Sequence, residues 1–146
     1  MAAMALVVDT SAILASLDEA YAEQEAIAAI LASEPGPLVI SPMVIAEADY
    51  MLYTRLGAAA ARRFAADVAA EAYELPEWTA DDHSAVLEVI NRSSDDSNYI
   101  GVTDGANVVL ADRYRTTRLL TLDQRHFRRL RPLWGAESFT LLPYDS

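Results

Sequence analysis

Short apolar runs recur along the chain, and most are followed by a stretch whose apolar positions fall at helical spacing. Leu6-Val7-Val8 is the first, ending at Asp9, and its composition predicts a strand buried on both faces. Thr10 or Ser11 can cap a helix after it, and a second helix is expected over Glu19 to Leu31, stopped by Glu34-Pro35-Gly36-Pro37. Leu38-Val39-Ile40 is the next apolar run. Ser41 as N-cap and Pro42 at the first helical position then start a helix to about Arg55, with Gly57 as its stop. Ala58 to Ala72 continues as helix, and Tyr73-Glu74-Leu75 is expected to be a third strand.

Thr79-Ala80-Asp81-Asp82 has the form of a capping box, with Asp in place of Glu, for a helix to about Arg92. The polar stretch Ser93 to Asn98 is a loop. A helix over about Val102 to Tyr114, a strand over Arg118 to Leu122, a helical turn over Gln124 to Leu130 and a last strand over Phe139 to Leu142 complete the pattern. Strands alternating with helices predict an α/β fold: a central parallel sheet flanked by helices on both faces. The 146 residues suit one domain, 1–146, with a core over about 5–143.

Composition narrows the function. There is no cysteine, which removes disulfides, thiolate zinc sites and cysteine nucleophiles, and no lysine, which removes a P-loop. No apolar run reaches membrane-span length and the N-terminus lacks a signal pattern, so a soluble, cytoplasmic protein without membrane association is expected. The net charge of −11 argues against a general polyanion binder. All 11 basic residues are arginine, however, and seven of them lie between Arg113 and Arg131 with Asp123 as the only acid, a local charge of +6 against −17 elsewhere. Such an edge either holds phosphate, with Arg125, Arg128 and Arg129 as candidate contacts, or pairs with acids on neighbouring helices. The acidic remainder suits a basic protein partner.

Four acids stand where strands end or helices begin: Asp9 after the first strand, Glu47 in the second turn of its helix, Asp104 in a first turn, and Asp123 after Leu119-Leu120-Thr121-Leu122. Each has an ordinary explanation as a cap, a dipole partner or a solvent-facing acid. Together they point to the crevice at the carboxyl ends of parallel strands, where α/β sheets bind ligands. Converging carboxylates repel, and an oxygen-only donor set selects Mg2+ or Mn2+, the apparatus of phosphodiester hydrolysis. Thr10, Ser11 and Thr121 offer hydroxyls, and Asn107 an amide, to orient those acids. Each also reads as a cap, strand or core residue. His126 is a phosphate contact or, as the commoner case, a surface histidine, and His83 reads as structural.

The ordered strings Val8-Asp9-Thr10-Ser11-Ala12, Ser41-Pro42-Met43-Val44-Ile45-Ala46-Glu47, Thr103-Asp104-Gly105-Ala106-Asn107-Val108-Val109-Leu110-Ala111 and Leu120-Thr121-Leu122-Asp123-Gln124-Arg125-His126-Phe127 resemble those of the PIN-domain ribonucleases, in particular VapC-type toxins of type II toxin-antitoxin modules. The resemblance implies a PIN-like fold, an acidic tetrad of Asp9, Glu47, Asp104 and Asp123 as catalytic and metal-binding residues, and Mg2+- or Mn2+-dependent cleavage of structured RNA such as tRNA or rRNA. It further implies a homodimer and a cognate VapB-type antitoxin, with no DNA binding by this chain alone. Gly105 departs from relatives that carry a helix former there, at a propensity cost of about 1 kcal/mol. A reading from a different class is a catalytically weak PIN-like module that binds RNA or protein without cutting.

Overall fold

Strands of two or three residues at the centre of the chain's architecture alternate their side chains between two helical layers. A computed structural model describes residues 3–145. The elements are β1 (Leu6–Val8), α1 (Thr10–Leu17), α2 (Gln24–Ser33), β2 (Leu38–Val39), α3 (Pro42–Leu56), α4 (Ala58–Ala69), α5 (Ala80–Ser93), α6 (Val102–Arg113), β3 (Arg118–Leu120), α7 (Gln124–Phe127) and β4 (Thr140–Leu142). Among the described residues the strands form one sheet of order β2-β1-β3-β4 with every pairing parallel.

Alternation divides the core. Val7, Leu119 and Leu141 point to one face, against Val86 and Val89 of α5 and Val108 and Leu110 of α6. Leu6, Val8 and Leu120 point to the other, against Ile13 of α1, Ile27 of α2, Leu52 of α3 and Phe64 of α4. This two-sided burial explains why the strands are apolar throughout, and it bears out the expected parallel sheet with helices on both faces. No helix among the described residues is long and apolar enough to cross a membrane.

Local signals account for the helix limits. The Ser41 hydroxyl accepts from Val44 N at 3.1 Å with Pro42 at the start of α3, and Gly57 ends that helix at φ 99°, a conformation strained for any residue with a Cβ. Thr79 and Asp82 form the complete capping box of α5.

Three expectations need correction. The second helix starts at Gln24, because the Asp18 carboxylate accepts from Ala20 N at 3.0 Å and its carbonyl from Tyr21 N at 3.1 Å, folding residues 18–23 into turns instead. Tyr73-Glu74-Leu75 is not a strand of the sheet. It contributes one bridge, Val39 to Glu74, because Glu71 turns left-handed just before it, Pro76 follows it, and Tyr73 packs edge-on against Phe64. The strand expected over Arg118 to Leu122 also ends earlier, at Leu120, which frees Thr121 and Asp123 to turn toward the site.

Candidate active site

β1 lies between β2 and β3, so Asp9 leaves the sheet near its middle. The Asp9 main chain begins α1, its carbonyl accepting from Ala12 N at 3.1 Å and Ile13 N at 3.3 Å, while its carboxylate takes no part in capping. That side chain is only 6% exposed. Its Oδ1 accepts from Asn107 Nδ2 at 3.0 Å, and its Oδ2 from Thr121 Oγ1 at 2.8 Å and Ser11 Oγ at 3.2 Å. Three donors from α6, the β3 end and α1 thus fix one carboxylate. Burial drives its pKa upward, the Thr121, Thr10 and Ser11 hydrogen bonds pull it down, and the charge of Asp123 adds to the rise; the result is a raised pKa.

The same hydroxyls set the neighbouring loop. Leu122 N donates to Ser11 Oγ at 2.9 Å and Asp123 N to Thr121 Oγ1 at 2.9 Å. Asp123 then caps α7, its Oδ1 accepting from His126 N at 3.0 Å. Its Oδ2 lies 2.8 Å from His126 Nδ1, and Asp104 Oδ2 lies 2.9 Å from the same nitrogen. Nδ1 thus stands between the two carboxyl groups, within hydrogen-bond distance of one oxygen of each. His126 is therefore part of the cluster, and the commoner surface reading is wrong for it. Its spacing of three from Asp123 on a helical turn was the signal in the sequence.

Asp104 sits in the first turn of α6. Its pKa is pushed up to about 7 by burial first, then by the charges of Asp9 and Asp123, with His126 opposing and Glu47 adding to the rise. A carboxyl held near neutrality marks a pocket short of positive charge. One ligand atom each from Asp104, Asp123 and His126 lie within 4.8 Å of one another. Asn107 Oδ1 is buried without a hydrogen-bond partner, an acceptor that a cation or its water would satisfy. Hard carboxylate and amide oxygens with one imidazole fit Mg2+ or Mn2+.

The remaining sequence candidates divide. Glu47 is exposed on α3 and stands at the rim, its Oε2 accepting from Thr103 Oγ1 at 3.4 Å while its charge reaches Asp104. Thr121 and Asn107 touch Asp9 as described. The Thr10 hydroxyl is buried without a partner, and Ser11 makes the side-chain contact instead. In the basic segment, Arg113 pairs with Asp82, Arg115 with Asp112, Arg118 with Glu34 and Arg128 with Asp145. Arg128 forks onto both Asp145 oxygens at 2.7 and 2.8 Å, so it is engaged within the chain. Arg125 and Arg129 form no ion pair among the described residues.

The end of the parallel sheet thus gathers the partly buried carboxylates of Asp104 and Asp123 around one imidazole, with the buried Asp9 beside them. Residues 6–132 match the PIN domain family. The chain belongs to that family, in its VapC ribonuclease branch. It is 41% identical to Ribonuclease VapC26 of Mycobacterium tuberculosis over 138 residues, covering 94% of this chain and all of the relative. Its fold matches Mycobacterium tuberculosis VapC20, described as a sarcin-ricin loop cleaving toxin, at a TM-score of 0.72 and 23% identity over 81% of this chain and 89% of that one. It also matches VapBC2 from Rickettsia felis, bound to a DNA fragment of its promoter, at a TM-score of 0.64 and 18% identity over 90% and 100% of the two chains.

Proposed function

We propose that this chain is the toxin of a toxin-antitoxin pair, a Mg2+- or Mn2+-dependent endoribonuclease that cuts structured RNA, tRNA or rRNA, and so stops translation. The observation that carries the reading is the placement of Asp104 of α6 and Asp123 of the β3 end around His126, with the buried Asp9 of β1 near enough for its charge to act on Asp104. Asp104, Asp123 and Asp9 would hold the cation, with Glu47 completing the charge from the rim. When bound, the cation neutralises the carboxylates, acidifies a water for attack on phosphorus and offsets charge on the leaving oxygen.

The chain's own residues do the positioning. Thr121, Ser11 and Asn107 fix both oxygens of Asp9, so its carboxylate is set before any ligand arrives. His126 sets its Nδ1 between Asp104 and Asp123, within 2.9 Å of an oxygen of each, and so bridges the two acids. Glu47, exposed at the rim, adds negative charge that reaches Asp104.

The acidic surface outside the arginine segment favours a VapB-type antitoxin that brings basic groups, and a homodimer would set two such sites on one RNA-binding face. The test is expression of the chain without a partner, followed by mapping of RNA 5′ ends. New ends confined to one structured RNA in wild type, absent for Asp104→Asn, are expected. Matching profiles for both, with growth unaffected, would favour a binding module that does not cut.

A further inference from the structure

Among the described residues β4 stands at one edge of the sheet, paired with β3 alone. Thr140 N donates to Thr117 O at 2.8 Å and Leu142 O accepts from Thr121 N at 3.1 Å, so Leu141 between them turns its main-chain groups outward. Asp145, in the turn after β4, satisfies both. Its Oδ2 accepts from Leu141 N at 2.7 Å, and its own N donates to Leu141 O at 2.7 Å. The sheet edge is thereby closed to other strands.

The same carboxylate grips α7. Arg128 donates through Nη1 to Asp145 Oδ2 at 2.7 Å and through Nη2 to Oδ1 at 2.8 Å, a two-pronged pair. Nη2 also donates to Gln124 Oε1 at 3.1 Å, so the guanidinium spans the outer face of the turn from its first residue to its cap. Arg128, with the Leu141 N–H adding to its effect, holds the Asp145 carboxyl down at about 2, and the pair is charged at neutral pH.

α7 is a single turn, too short to hold its own orientation. Phe127 and Leu130 anchor its inner face, with the Phe127 ring edge-on to Phe139 at 6.3 Å between centres. Anchored on that face alone, the turn can rock, and His126 swings off Asp104 and Asp123. The fork onto Asp145 is the outer anchor. A second route runs along β4, whose Leu142 carbonyl holds the Thr121 main chain while the Thr121 hydroxyl holds Asp9.

We propose that Arg128 and Asp145 are positioning residues for the acid cluster: the turn after β4 grips α7 from outside and so fixes His126 between Asp104 and Asp123. An ordinary exposed ion pair would leave the cluster untouched. This role deepens the reading of those acids as a cation site and rests on it for its consequence in the reaction.

The experiment uses the purified full chain as wild type, Asp145→Asn, Arg128→Gln, their double variant and Arg115→Ala. Asp145→Asn keeps an acceptor for Leu141 N but turns an amide toward Arg128, which separates the grip on α7 from the closing of the edge. Arg115→Ala breaks an exposed pair with Asp112 and serves as the control. Residue-resolved amide exchange in EDTA should quicken about fivefold at His126, Phe127 and Leu130 in either α7 variant, with Val108 to Leu110 of α6 unchanged. Kd for Mn2+, read by electron paramagnetic resonance, should rise about fivefold in the same variants and stay at the wild-type value in the control. The double variant should be no worse than either single one. Unaltered exchange in α7, a wild-type Mn2+ Kd in both variants, additive losses in the double variant, or the same changes in the control would overturn the role. A wild type that binds no Mn2+ strikes the cation reading alone, and the exchange of α7 then judges the grip.

Discussion

His126 on α7 reaches Asp104 on α6 through Nδ1, 2.9 Å from Oδ2, and in doing so bridges two elements that meet at the end of the sheet. The imidazole occupies the position of a counter-charge between Asp104 and Asp123. His126→Ala removes that bridge while leaving the buried scaffold of Phe127 and Leu130 in place. The expected outcome is a weaker hold on the site's geometry: RNA cleavage falls, and the cation concentration needed for half-maximal rate rises, measured by titrating Mn2+ into the assay. His126→Asn, which keeps a donor, should recover part of the loss.

Asp104 supplies a pH signature. Its pKa in the cation-free fold is about 7, above the unfolded carboxyl value, so its contribution to stability is complete below about pH 4 and is lost as pH rises through 7. Asp104→Asn removes the penalty. The variant should therefore melt higher than wild type in EDTA at pH 8, with a difference of up to about 4 kcal/mol that shrinks toward pH 4. Thermal melts of both proteins across that range measure it, and a difference that grows as pH falls would contradict the assignment.

Thr121 is fully buried and its hydroxyl serves Asp9, Ser11 and Asp123 at once. Thr121→Val keeps the shape and removes the hydroxyl, leaving polar groups short of partners, at a cost of about 1–3 kcal/mol by denaturant unfolding. Cleavage should fall further than that stability loss explains, because Asp9 loses its shortest hydrogen bond. Thr121→Ser should restore both.

Gly105 has a packing reason for being glycine. A Cβ there would stand 2.9 Å from Val86 Cγ1, on the buried face where α5 meets α6. Gly105→Ala gains helix propensity of about 1 kcal/mol but forces that contact, for an expected net destabilisation of about 1–2 kcal/mol. Adding Val86→Ala should make the alanine at 105 less costly than it is alone, a coupling that a double-mutant cycle reads directly.

Asp9, Asp104 and Asp123 were legible in the sequence because each follows or opens an element whose apolar run fixes its place at the sheet's carboxyl edge. The sheet, its parallel sense and the caps at Ser41 and Thr79 were legible for the same reason: they rest on local chemistry. What was not legible depends on partners distant in the chain. His126 became a member of the cluster only when α6 brought Asp104 to it, and the engagement of Arg128 depends on Asp145, seventeen residues on. Ser11 and Thr10 are adjacent and chemically alike; the rotation of α1 alone decides which hydroxyl reaches Asp9. Tyr73-Glu74-Leu75 has strand composition, but the tertiary pull of Phe64 on Tyr73 and the turn at Glu71 leave it a single bridge.

The central claim is that Asp9, Asp104 and Asp123 form one cation-dependent cutting site. It is tested most directly by the rate at which the purified, antitoxin-free protein cuts its mapped RNA as Mn2+ is titrated from EDTA upward, for wild type and Asp9→Asn. A saturable rise from zero in wild type, with no cutting at any concentration by a folded Asp9→Asn, is the expected result. Cutting that persists in EDTA, or Asp9→Asn cutting at the wild-type rate, would contradict it.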